Sequence, residues 1–164
     1  MHRITRVALT ALLATPALIA TQTTTASAAT TTASCSGNGC DGRNPNSTGC
    51  SATAITAEEV EVVDSSSGAD DGELQLRYST ACRTTWARFV APSAQILVAT
   101  IRVVRNHNQL DFQADSGGAI SYSSTLGQYF DYTNMLYDGN TTSDAQINLL
   151  GSDGSQVNAM TPSF

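Results

Sequence analysis

Between Glu73 and Val90 the chain reads ELQLRYSTACRTTWARFV, and the alternation of its side chains admits few architectures. Leu74, Leu76 and Tyr78 fall on one face of an extended segment, and Glu73, Gln75 and Arg77 fall on the other, the pattern of a half-buried strand. Ser79 to Ala81 interrupts it. Beyond the break Arg83, Thr85, Ala87 and Phe89 alternate with Cys82, Thr84, Trp86, Arg88 and Val90, which predicts a second strand folded back on the first. A hairpin that carries Tyr78, the single tryptophan and a cysteine is a natural nucleus for a core.

The rest of the chain repeats short apolar runs between turn signals. Ala52 to Thr56 and Val60 to Val63 are expected strands, with SSSGADDG (Ser65 to Gly72) as a loop before the hairpin. Ile96 to Val104 is the most continuous apolar run and reads as a buried strand. Asn106 to Gln109 turns into an alternating Leu110 to Ala114, and Asp115 to Gly118 turns into Ala119 to Ser123. Tyr129 to Tyr137 is aromatic-rich, and strands are expected at Gln146 to Leu150 and Val157 to Met160. Regular turn signals without a helical face predict an all-β fold, a small disulfide-stapled β-sandwich or barrel formed as a single domain by residues 35–164.

Met1 to Ala28 has the layout of a secretory signal peptide: Arg3 and Arg6 at the start, an apolar run from Val7 to Ala20, and a small-residue cleavage site at Ala26-Ser27-Ala28. The apolar run is too short and too broken by Pro16 to span a bilayer. Without this segment six basic residues face fourteen acidic ones, so the formal charge moves from −6 to −8, with no lysine anywhere. Nucleic acid is not an expected partner, because phosphate binding needs a basic surface. No membrane contact is expected after cleavage, and the product is expected to be extracellular.

Four cysteines remain: Cys35, Cys40, Cys50 and Cys82. An even count in an exported chain favours two disulfides. Three connectivities are open. The preferred one joins Cys35 with Cys40 as a small ring and Cys50 with Cys82 as a tie between the Gly- and Pro-rich N-terminal loop and the hairpin. Zinc is the alternative, but C-x4-C and C-x9-C spacings offer neither a C-x2-C knuckle nor a nearby histidine. No metal and no cofactor is therefore expected. Ahead of the cysteines, Ala29, Thr30, Thr31, Thr32, Ala33 and Ser34 form an expected flexible arm. It is either a spacer or a partner-binding segment that adds a strand to another protein.

Candidate chemistry is sparse. Ala114 to Ala119 reads ADSGGA, and D-S-G-G surrounds the nucleophile of trypsin-like proteases, yet a nucleophilic serine needs an oriented histidine base. His107, the histidine outside the signal segment, lies in an expected hairpin turn, and Asp115 to Gly118 is more simply a turn. Glu58, Glu59 and Glu61, and Asp70, Asp71 and Glu73, are two carboxylate clusters that could face each other across a sugar cleft or could be a solvated rim. Asp70-Asp71-Gly72-Glu73 lacks the spacing of a dedicated calcium loop. Tyr122, Tyr129, Phe130, Tyr132 and Tyr137 are either a recognition surface or core and rim. Arg77, Arg83 and Arg88 are expected to pair with acidic neighbours.

The motif C-x-G-x-x-C-x-G-x-x-P-x-x-T-G-C at Cys35 to Cys50, followed by ELQLRYSTACRTTWARF, resembles the YjfA-like family of small secreted bacterial proteins, a domain of unknown function. NMLYDG at Asn134 to Gly139 also resembles its C-terminal part, while Val90 to Leu126 matches only in general character. This chain departs from the family in having no cysteine after Cys82. The resemblance implies a compact secreted β domain without a recognised active site. It also implies similarity to the small adaptor subunit of umbrella-shaped toxin particles, which links a lectin-like subunit to a large repeat-containing toxin through an inserted N-terminal arm. A non-catalytic secreted adaptor or binding module is the expected function. The alternatives are a cell-wall or carbohydrate-directed hydrolase using Glu and Asp pairs and a secreted inhibitor of a foreign hydrolase.

Overall fold

The structure is a computed structural model that describes residues 32–92, 96–115, 120–151 and 154–164. The signal-like segment, Ala29 to Thr31 of the arm, and Ser116 to Ala119 of the D-S-G-G motif lie outside the described residues. Ten strands are formed among those described: β1 (Ala54–Val63), β2 (Asp70–Ser79), β3 (Thr84–Ala91), β4 (Ile96–Arg105), β5 (Leu110–Asp115), β6 (Ser121–Ser123), β7 (Gln128–Tyr132), β8 (Leu136–Tyr137), β9 (Ser143–Gly151) and β10 (Gln156–Met160). Short 3-10 turns at Gly37–Cys40 and Cys50–Thr53 carry Cys40 and Cys50.

Every strand pairing is antiparallel, and the strands make two sheets, β1-β2-β3-β7-β6 and β10-β9-β4-β5, with β8 also on β3. The fold is all-β. The period-2 reading of the central hairpin sets the layers: Leu74 faces Phe89 and Leu76 faces Ala87 across β2 and β3. These four side chains, with Val62 and Ala91, are buried against Ile101, Val103, Ala145, Ile147, Leu149 and Val157 of the second sheet. The apolar run at Ile96 becomes β4, held between β5 and β9.

A second, smaller core lies on the opposite side of the first sheet. Trp86 points away from the sandwich and is only 3% exposed, because the N-terminal loop covers it. Cys40, Cys50, Cys82 and Met135 surround it, with Ala33, Cys35, Ala54 and Tyr132 packed alongside. Tyr78 is not part of this cluster; it makes a tilted ring contact with Phe164, centroids 5.2 Å apart. Cys35 pairs with Cys40 and Cys50 with Cys82, with Cα separations of 5.4 and 5.8 Å.

Several boundaries differ from the sequence reading. Ala52 to Thr56 and Val60 to Val63 are one strand, because a register shift between Thr56 and Glu58 absorbs an extra residue without ending the ladder. Residues 70–72 belong to β2 rather than to a loop; the turn is confined to 65–67, where Asp64 accepts hydrogen bonds from Ser66 N and Ser66 Oγ, both at 2.6 Å. Gly72 makes that start possible. Its φ is +132°, and a Cβ there would lie 2.2 Å from the Val90 carbonyl. Tyr129 to Tyr137 splits into β7 and β8 because Thr133 and Met135 bond elsewhere. Ala87 N donates to Thr133 Oγ1, and Met135 N donates to Arg43 O in the N-terminal loop.

The loop has a third tie. Arg105, 8% exposed at the end of β4, donates through Nη2 to both carboxylate oxygens of Asp41 at 2.9 Å and through Nε to Tyr137 O at 2.8 Å. Asp138, half-buried nearby, accepts from Ser143 Oγ at 3.2 Å. Burial pushes its carboxyl up to about 6, against the opposing effects of Ser143 and the Arg105 charge.

Two predictions follow from these ties. Removing the Cys50–Cys82 bridge with paired alanines frees a 32-residue separation and is expected to cost roughly 4 kcal/mol, against roughly 2 kcal/mol for the 5-residue Cys35–Cys40 ring. Urea denaturation of the two double variants checks the order, and equal losses would contradict it. Asp138 holds a proton in the folded state that the unfolded chain has already lost between about pH 4 and 6. Its contribution to stability is therefore fullest below pH 4 and declines as pH rises through 6. Asp138→Asn is expected to flatten that part of the stability–pH curve, measured by thermal melts across the window.

Candidate binding site on the outer face of the first sheet

The pleat and register bring three cross-strand rows to the outer face. The first row is Thr56, Arg77 and Trp86; the second is Glu59, Gln75, Arg88 and Tyr132; the third is Glu61, Glu73, Val90 and Phe130. The face therefore runs from carboxylates at one end to guanidinium and aromatic groups at the other.

The basic end is a cavity of about 170 Å³ between Arg77, Arg88, Trp86, Phe130 and Tyr132, with Asn46 and Ser51 of the N-terminal loop on its far wall and Leu126 at the rim. Phe130 and Tyr132 alternate along β7, so their rings lie on the same side, stacked at 5.9 Å and 9°. Asn44 Nδ2 donates to Tyr132 OH at 3.3 Å and ties the loop to that wall. Arg77 donates through Nη1 to Thr56 Oγ1 and through Nη2 to Ala54 O at 3.2 Å. Its Nε is buried and has no hydrogen-bond partner among the described residues. Arg88 is held by Gln75, whose Oε1 accepts from Nε at 2.8 Å and from Nη2 at 2.5 Å. Burial lowers the pKa of both arginines from the usual value, and the Arg88 charge adds to this effect on Arg77. Two cations drawn partly out of water side by side, one with a spare donor, create a demand for an anion.

The acidic end is a wider hollow of about 430 Å³ that includes Glu59, Glu61, Asp70 and Glu73. Gln75 Nε2 donates to Glu73, so one polar chain runs from Arg88 through Gln75 to that carboxylate. Glu73 hydrogen-bonds Glu59, and this contact and its charge raise the Glu59 pKa above the ordinary carboxylate value.

The structure divides the residues singled out in the sequence. Of the five aromatics, Phe130 and Tyr132 reach this site; Tyr122 and Tyr129 pair with each other at 5.0 Å, and Tyr137 lies under Arg83, 5.9 Å from its guanidinium carbon. The expected acidic partners of Arg77 and Arg88 are replaced by Thr56, a carbonyl and Gln75, because the register sets these opposite rather than a carboxylate. Asp70 Oδ1 accepts from Gly72 N at 2.9 Å. His107 is in the β4–β5 turn, and Asp115, just before the serine of the D-S-G-G motif, pairs with Thr100 five rungs away, about 17 Å along the strand. Of the arm, Thr32 is exposed, Ala33 packs on the cysteine cluster and Ser34 N donates to Thr48 O at 2.9 Å. The sequence reading missed Asn44 and Asn46, whose only signal was their place inside the cysteine-bounded loop, and Ser51, which follows its last cysteine.

A family model described as a protein of unknown function (DUF2690) matches residues 38–146, a span that contains every residue of this site. The "Uncharacterized protein YjfA" of Bacillus subtilis (strain 168) is 27% identical over 100 residues, covering 60% of this chain and 62% of that protein. The chain thus matches less than two thirds of that relative's length. No solved structure matches.

Glu59→Gln removes a carboxyl whose pKa is raised by its contact with Glu73. Because the raised carboxyl disfavours its ionised form in the fold, stability from this pair falls as pH rises above the ordinary carboxylate range. The variant is expected to be more stable than the parent at pH 7, with the gain shrinking toward pH 4. Parallel urea titrations at the two pH values check the difference.

Proposed function

This chain belongs to the DUF2690 family, and on that premise we propose that it is a non-catalytic secreted binding module that captures a protein partner through the arginine–aromatic cavity. The supporting observation is the pair Arg77 and Arg88 beside the Phe130–Tyr132 stack, with one buried guanidinium nitrogen unpartnered. In a chain of formal charge −6, this is a local reversal of sign. The ligand that fits it is a carboxylate next to an apolar or aromatic group, presented by an acidic segment or chain terminus of the partner. A planar fork satisfies two carboxylate oxygens at once, and the stacked rings supply a rigid contact surface.

Export is part of the reading. The signal-like start, the two disulfides and the absence of a membrane-crossing helix among the described residues support it. An adaptor that joins two extracellular protein subunits fits a chain with a recognition face on one sheet and the segment ending at Thr32 as a second attachment.

The test is affinity purification of the tagged mature chain from its producer's culture supernatant, run in parallel with Arg88→Gln and with a deletion of residues 29–32. Stoichiometric recovery of a defined secreted protein by the parent, reduced about tenfold or more by Arg88→Gln, is the expected result. Recovery of the parent chain alone as a monomer, or recovery unaffected by the arginine change, would sink the proposal.

A further inference from the structure

The two disulfides form one cluster. The Sγ atoms of Cys35, Cys40, Cys50 and Cys82 all lie within 4.8 Å of one another, and Cys35 Sγ stands 3.8 Å from Cys50 Sγ across the two bridges. In a tetrahedral zinc tetrathiolate with Zn–S of about 2.3 Å, the sulfurs are roughly 3.8 Å apart. The unbonded contact already has that length. Opening each bonded pair from about 2 Å to about 3.8 Å moves each sulfur on the order of 1 Å, within reach of side-chain rotation. Cys40, Cys50 and Cys82 are fully buried, and Trp86 and Met135 close the cluster from the sheet side. Structural zinc sites have this character: four protein ligands, no open position and a dry surround.

We propose that the reduced chain binds one zinc-class divalent cation through Cys35, Cys40, Cys50 and Cys82, so that the same four residues latch the N-terminal loop by disulfides when oxidised and by metal when reduced. Each disulfide accepts two electrons and two protons from a dithiol reductant, which becomes a cyclic disulfide. The four thiols then release four protons as the cation binds, leaving a tetrathiolate of charge −2. Oxidation by two equivalents of a low-molecular-weight disulfide reverses the sequence: two protein disulfides re-form, the oxidant takes up four electrons and four solvent protons to become four thiols, and the cation is expelled. Cys35 lies in the segment ahead of the first 3-10 turn, Cys40 and Cys50 in the two 3-10 turns and Cys82 in the β2–β3 turn, so the metal fastens the segments that the bridges fasten.

The experiment uses the full mature chain, reduced under anaerobic conditions and titrated with Co²⁺ and then Zn²⁺. One equivalent of Co²⁺ is expected to give the visible bands of a tetrahedral tetrathiolate, Zn²⁺ to displace it, and all four thiols to be protected from alkylation. If reduction melts the sheets, Zn²⁺ restores the far-ultraviolet β signal under the proposal, because metal binding is then folding free energy. Cys35→Ser is expected to weaken Co²⁺ binding about tenfold or more and to abolish the tetrathiolate spectrum. Absence of binding, fewer than four protected thiols, failure to recover structure, or unchanged affinity in Cys35→Ser would each overturn it.

Discussion

Trp86 lies on the wrong side of its sheet for the sandwich core, and the outer face depends on how that is resolved. Its neighbours in the pleat, Arg77 and Arg88, are polar and face solvent, so a bare Trp86 would leave a large apolar surface in water. The Cys50–Cys82 bridge seats the N-terminal loop over the indole, and the loop in turn has no core except the one it makes there. Gly37 N donating to Cys82 O, Met135 pairing with Gly42 and Arg43, and Arg105 clasping Asp41 hold the loop at other points. One buried aromatic thus converts a string of turns into a wall of the cavity.

That placement explains the electrical character of the face. The registers of β1, β2, β3 and β7 are set by the inner side chains, Leu74 on Phe89 and Leu76 on Ala87, and the outer rows follow without freedom to slip. Gln75 sits between Arg88 and Glu73 and spends its oxygen on one and its amide on the other. This keeps the guanidinium and carboxylate apart instead of letting them collapse into an ion pair. The proposed anion site at the arginine end rests on this separation, while the contact with Glu73 and its charge raise the Glu59 pKa.

The hairpin, the all-β class and the buried β4 were legible because period 2 and continuous hydrophobicity are local signals. What was not legible depends on residues far apart in the chain. Nothing in the spacing of Thr133 says that its hydroxyl will take the Ala87 N–H and end a strand. Arginines beside acidic runs suggested ion pairs, yet the register placed Thr56 and Gln75 opposite them. The bulge after Thr56 hid one strand as two, since one extra residue inverts the alternation beyond it. The cysteine spacing argued against a metal knuckle, because the four sulfurs are gathered from separate segments of the chain and no pair has the local C-x2-C form.

Both candidate chemistries lie on one physical boundary, the seam between the loop and the sheet. The cavity needs Asn46 and Ser51 from the loop opposite Arg77 and Arg88 from the sheet, and the sulfur cluster needs Cys35, Cys40 and Cys50 from the loop opposite Cys82. Cys50 and Ser51 are adjacent, so the residue that closes the sulfur cluster also positions one wall of the cavity. Any change in the linkage of the four sulfurs that shifts the Cys50–Thr53 turn moves Ser51 against the arginines. The cavity wall and the sulfur cluster thus share a single 3-10 turn, Cys50–Thr53.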